Sequence, residues 1–236
     1  LALHRSLAER LPRWARERIA SGVAETVPLH NVPETEWPSF SCVFFLNATD
    51  ELKQQGVDVA YADDAVHAAR DLLMDPANHS WVRRHWGDDY LVRENLFFRS
   101  LLIAGLTSYI AITDDRRDEA FLREQVESLA AELDASPHGL LQDYPGETYP
   151  IDVLAGVAYI READRVLGTD HRSFVTRARR AFVSPYDDEH GLVRFRVDLP
   201  RDGSFPRRLQ GSRGIGNSWV GIFAADKSLL TQLIGV

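Results

Sequence analysis

The sequence predicts an all-α fold built as a ring of helical hairpins. Three observations carry that expectation. Apolar residues recur at helical spacing through most of the chain. Helices that are apolar all round alternate with amphipathic ones. The apolar ones open near Trp37, Arg93, Pro150 and Gly214, each after a loop-rich segment. Those starts lie about 56 to 64 residues apart, a longer repeat than tetratricopeptide or HEAT units. An all-apolar helix must be buried on every side, whereas an amphipathic one faces solvent along a stripe. The alternation therefore fits a toroid with apolar helices inside and amphipathic ones outside. In such a toroid, the loops leading into the inner helices share one rim. A short hairpin-like insertion is expected near 192–198. A closed ring of six hairpins needs more helices than this sequence supplies, and the final "LLTQLIGV" carries no stop signal. The expectation is one barrel domain over residues 1–236, lacking its last hairpins.

Each element has its own signal. "LALHRSLAERLPRWARERIA" spaces Leu3, Leu7, Leu11 and Trp14 for a helix. "WPSFSCVFFLNATDEL" follows a Pro-rich loop and reads as a buried helix, with a strand as the alternative. "DVAYADDAVHAARDLLM" is amphipathic and stops before Asp75-Pro76. "RENLFFRSLLIAGLTSYIAI" is a long apolar helix. "DDRRDEAFLREQVESLAAELDA" is amphipathic, with Thr113 as its expected N-cap. "IDVLAGVAYIREADRVLG" stops at Gly168, and "DHRSFVTRARRAF" is short and amphipathic. "GLVRFRVDL" alternates and reads as a hairpin arm. "NSWVGIFAADKSLLTQLIGV" opens another helix pair.

Bulk properties narrow the function. Hydrophobic content of 44% and charged content of 26% are those of an ordinary globular protein. A net charge of −8 argues against general nucleic-acid binding, which needs a basic face. The lone Cys42 excludes an intramolecular disulfide and a thiolate metal cage. No run forms a clean membrane span, because Arg99 interrupts the most apolar stretch. The start shows no signal-peptide pattern. The chain opens on Leu1 and its single methionine is Met74, so a processed or fragmentary chain is expected.

Chemistry concentrates in "LLQDYPGETYPIDVLAG", residues 140–156. It sets Asp143, Glu147 and Asp152 beside Tyr144 and Tyr149. Acid/base catalysis needs groups whose environments push their pKa values apart, and neighbouring carboxyls do this to one another. Pro145-Gly146 turns the chain and presents Glu147. Catalytic roles are therefore expected for Glu147, Asp152 and Asp143, and substrate contacts for Tyr144 and Tyr149. Other rim loops offer Trp37, Glu94 and Asn95, with Glu25 a weaker candidate. In "RRLQGSRGIGNSW", Arg213 is placed to meet a ligand anion. "DDRRD", residues 114–118, matches a diphosphate-binding pattern but reads as the acidic opening of an outer helix. The histidines show no metal-ligand spacing, His67 reads as structural, and no cofactor is implied.

"WGDDYLVRENLFFRSLLIAGLTSYIAITDDRRDEAFLREQVESLAAEL" and "GLLQDYPGETYPIDVLAGVAYIREADRVLGTDHRSFVTRARRAFV" resemble the linalool dehydratase/isomerase family, over roughly residues 40–236. The resemblance rests on helix order, on "RENL" at an inner-helix start and on "VAYIREADRVLGTDHR". It implies an (α/α)6 barrel and a lyase or isomerase acting on a small alcohol. The family's two catalytic cysteines fall at Asp143 and Asp152 here, and its active-site histidine at Leu101. Glu94 and Asn95 match its motif. Carboxylates stand here in place of the family's thiols, so the expectation is carboxylate acid/base chemistry in the barrel cavity, and the replacement points partly toward carbohydrate chemistry. The alternatives are a carbohydrate-active hydrolase or epimerase, and a non-catalytic toroid binding a glycan or protein.

Overall fold

The structure is a computed structural model that describes residues 1–181, 192–200 and 207–211. It is all-α: nine α-helices and one two-stranded sheet lie among the described residues. Arg213 and the helix pair expected from Asn217 onward lie outside them. Contacts divide the chain into two compact units, Leu1–Asp88 with Leu101–Arg123, and Asp89–Ser100 with Glu124–Val236.

The first unit contains α1 (Ala2–Ser21), α2 (Val32–Thr35), α3 (Trp37–Gln54), α4 (Asp63–Leu73) and α5 (Ser80–Trp86). It also holds most of α6 (Leu96–Thr113) and the start of α7 (Glu119–Ala135). Gly22 ends α1 in the left-handed region at φ 61°. Such a cap suits glycine, which has no Cβ to clash. Pro38 opens α3, where a missing N–H costs nothing. The Pro-rich approach and the helical spacing thus override the aromatic and β-branched content that left a strand open. α4 stops at Leu73, and Asp75 beyond it accepts the N–H groups of Ala77 and Asn78.

α1 packs on α4 and α3, and α3 packs on α4. Cys42, Val43, Leu46, Leu72, Leu73 and Leu106 fill the core between these elements. Burial pushes the Cys42 thiol up to about 12, so it behaves as an inert apolar group. α6 closes on this core through Gly105, where a Cβ would stand 2.3 Å from Leu73 Cδ2 and 3.3 Å from Val43 Cγ2. Lys53 Nζ donates to the carbonyls of Ala111 and Ile112 in the last turn of α6. His67 is structural here. Its Nδ1 lies 3.0 Å from the hydroxyl of the fully buried Tyr109, which donates to Asp115.

The 114–118 stretch corrects one expectation. Thr113 ends α6 instead of capping α7, and "DDRRD" is the connecting loop. Asp115 draws the backbone away from helix, accepting the Arg117 N–H and pairing with its guanidinium. Asp114 sits in the left-handed region at φ 57°.

The second unit contains the start of α6, most of α7, α8 (Pro150–Leu167), α9 (Arg172–Ala181), β1 (Arg196–Asp198) and β2 (Arg207–Gln210). Gly168 ends α8 at φ 64°. Asp164 then ties the turn, accepting from Thr169 Oγ1 and from both the N–H and Nδ1 of His171. α8 packs on α9 and meets α6 at Gly156. A Cβ there would stand 2.8 Å from Ser100 Oγ and 3.1 Å from Leu96 Cδ1. β1 and β2 are antiparallel with Val197 opposite Arg208, which places the hairpin arm at 196–198.

α6 is long and apolar enough to cross a membrane by length and composition, yet 83% of it is buried within the protein. That is the pattern of a core helix, and the fully buried Arg99 lies in its first turns. Gly105→Ala is expected to force Leu73 aside and destabilise the protein by about 1–3 kcal/mol. Urea unfolding with an unchanged m-value is the check.

Candidate functional site

The site forms in the second unit, where the 140–149 loop enters α8. Asp143 N–H donates to Glu147 O and Glu147 N–H to Tyr144 O, closing a tight turn. Pro145 and then Gly146, at φ 80°, occupy its centre. A left-handed third position is what a type II turn requires, and glycine supplies it without strain. Gln142 Oε1 accepts the Gly146 N–H at 2.8 Å. Val197 N–H donates to Thr148 O, so β1 runs against the loop.

The three acids of this loop meet different surroundings. Asp143 is fully buried. Its Oδ2 accepts the N–H of Tyr149, the N-cap residue of α8, at 2.7 Å. Its Oδ1 is buried with no well-formed hydrogen bond among the described residues, although the Phe97 N–H is close enough to favour the charged form. Burial holds the Asp143 carboxyl well above the usual aspartate range, and the charges of Asp152 and Glu94 add to the rise. The backbone N–H groups of Tyr149 and Phe97 oppose it. Glu147 is half-buried. Its Oε2 accepts the Tyr149 hydroxyl at 2.6 Å, and its Oε1 lies 3.5 Å from Arg196 Nη2. Burial, reinforced by Glu147, pushes the Tyr149 phenol upward, so it stays a proton donor. Asp152 is half-buried in the first turn of α8, whose N-cap residue Tyr149 makes no side-chain cap bond of its own.

Aromatic rings flank the loop. Tyr144 tilts over Phe97 at 6.0 Å, and Tyr149 meets Phe195 edge-on at 5.3 Å. Glu94 and Asn95 precede α6, both at φ 51°, an uncommon region for residues with a Cβ. Glu94 Oε2 accepts the Gln142 N–H at 2.6 Å, and Asn95 Nδ2 donates to Tyr90 O. Burial raises the Glu94 carboxyl, and Glu132 raises it further. Glu94 also lines a groove of about 410 Å³ with Arg93, Glu132, His138 and Gln142.

Of the residues singled out in the sequence, the structure brings Asp143, Tyr144, Glu147, Tyr149, Asp152, Glu94 and Asn95 into one unit. Trp37 belongs to the other unit, 55% exposed at the start of α3 and near Phe40. Arg213 lies outside the described residues, and Glu25 lies in a short 3₁₀ turn of the first unit. Sequence reasoning passed over Arg99. It is fully buried and donates to Gln125 Oε1, Glu94 O, Glu132 Oε1 and Ser128 Oγ. The signal was an arginine inside an otherwise apolar helix, with Gln125, Ser128 and Glu132 at helical spacing. Among the described residues no group of three or more His, Cys, Asp or Glu side chains is arranged to hold a metal ion.

Fold and site together define an all-α protein with a buried carboxyl at a helix entrance. No family model and no curated protein sequence matches the chain.

Asp143 sets a pH dependence. Its folded pKa is raised above the unfolded value, so the folded state binds the proton more tightly. Asp143 therefore costs no ionisation penalty below the unfolded pKa. Stability declines as pH rises from the ordinary aspartate range through the raised folded value. Asp143→Asn keeps an acceptor for Tyr149 N–H and carries no charge. The variant is expected to gain stability relative to the parent as pH rises through that window. Thermal midpoints across pH, compared between the two proteins, check this.

Proposed function

We propose that the chain is an enzyme of the linalool dehydratase/isomerase type, an (α/α)6 toroid using carboxylate acid/base catalysis on a small alcohol. One observation carries the reading: a fully buried aspartic acid next to a second carboxylate. A carboxyl whose burial raises it well above the ordinary aspartate range is suited to general-acid work. Asp143 gives its proton to the substrate hydroxyl as the C–O bond breaks and water leaves. Asp152 takes a proton from the adjacent carbon, and its electron pair forms the double bond. The proton returns from Asp152 to Asp143 through water. Run backward, the same steps hydrate the alkene. Tyr149, fixed by Glu147, supplies a neutral hydroxyl beside them. Tyr144 and Phe97 supply apolar contact.

The burial of Asp143 also favours this reading over a non-catalytic binding toroid, whose carboxylates would face water. Among the described residues, the groove beside Glu94 is lined by Arg93, Glu132, His138 and Gln142 and by no Trp or Tyr. Gas chromatography of short tertiary and allylic alcohols incubated with the protein tests the proposal. Water loss is expected from at least one of them, and Asp143→Asn is expected to slow it by about 10²- to 10⁴-fold. Turnover undiminished in Asp143→Asn, or absent across the panel for the parent, overturns the reading.

A further inference from the structure

We infer that Glu94 and Arg99 form a latch that positions Asp143: Glu94 holds the backbone leading into it and faces it with a carboxylate, while Arg99 holds Glu94. The role of the latch in chemistry rests on the acid/base reading above; its existence does not.

Both backbone polar groups of Gln142, the residue before Asp143, are taken by one corner of the chain. Glu94 Oε2 accepts the Gln142 N–H at 2.6 Å, and Leu96 N–H donates to Gln142 O at 3.0 Å. That corner is strained, with Glu94 and Asn95 both at φ 51°. Such backbone persists only where surrounding contacts fix it. The fixing contacts are specific. Asn95 Nδ2 donates to Tyr90 O. Glu94 N–H donates to Glu132 Oε2 at 2.7 Å, and Glu94 O accepts from Arg99 Nη1 at 3.1 Å. Arg99 Nη1 also binds Glu132 Oε1 at 2.6 Å, closing a ring through the corner. Arg99 therefore acts on Asp143 only through Glu94, Glu132 and Gln142, as a positioning residue.

The charges around Asp143 come from several elements. Asp152 faces it from α8 and Glu94 from the corner before α6. On its own loop, Glu147 is bound to Tyr149 and lies near Arg196 of β1. Glu94 in turn faces Glu132 of α7 and the neighbouring Arg93. Removing the charge of Glu94 while keeping an acceptor for Gln142 N–H thus separates position from charge.

The test is carboxyl ¹³C NMR titration of the protein labelled at aspartate, with Asp143 assigned by its missing resonance in Asp143→Asn. In Glu94→Gln, the Asp143 midpoint is expected to move down toward the ordinary aspartate range, with the fold intact by circular dichroism. In Arg99→Lys, which keeps the charge and loses the fork, the midpoint is expected to shift and the Asp143 resonance to broaden. A midpoint unchanged in Glu94→Gln overturns the latch, even if Arg99→Lys is too unstable to titrate. No substrate enters this measurement. A moved midpoint with undiminished turnover in Asp143→Asn would sink the acid-catalyst reading and leave the latch standing.

Discussion

The second unit depends on one buried cation. Arg99 sits in the first turns of an apolar helix with no exposed surface. Taking a guanidinium out of water costs several kcal/mol unless partners replace the lost hydration. Three of those partners, Gln125, Ser128 and Glu132, lie along one face of α7 at helical spacing. A rotation of α7 about its axis would strand the charge, so this cation fixes which face of α7 it meets. The fourth partner, Glu94 O, carries the constraint out of the helices and into the loop.

From there the order passes residue by residue. Arg99 and Glu132 hold Glu94, Glu94 and Leu96 hold Gln142, and the next residue is Asp143. Asp143 in turn accepts the Tyr149 N–H at the entrance of α8. The N-terminus of α8 is thus served by a carboxylate six residues upstream instead of by its own cap residue. A helix N-terminus favours a negative charge. Here that preference meets burial and the like charges of Asp152 and Glu94, and burial is the larger effect.

Most helices were legible because their apolar spacing is decided by burial, which follows sequence period. α1 and α8 end at their glycines and α3 and α8 open at their prolines, whereas α4 opens only at Asp63, inside the stretch from Asp58 that read as helical. α5 was hidden within a polar stretch, since seven residues around Trp81 show too little of one face. Thr113 misled because its hydroxyl does cap a backbone N–H, that of Asp115, but in a turn. The acid-rich loop stood out by composition, whereas the difference between Asp143 and Glu147 did not. They lie four residues apart in the same turn, and only the packing of Phe97, α8 and β1 separates a buried carboxyl from a half-exposed one. The corner at Glu94 and Asn95 was illegible for another reason. Left-handed backbone is usually flagged by glycine, and here it is imposed by tertiary contacts on residues that resist it.

The buried carboxyl of Asp143 is what a purely structural account leaves over. A residue needed only to cap α8 would do so as asparagine or serine, each able to accept the Tyr149 N–H. Neither would carry a buried charge whose ionisation is opposed on two sides. A carboxylic acid at this position costs stability above the ordinary aspartate range. Departures of this kind from local optimality concentrate at functional sites. What a carboxyl has and the neutral caps lack is a transferable proton. The contacts that hold Gln142 and the charges of Asp152 and Glu94 both bear on that one group.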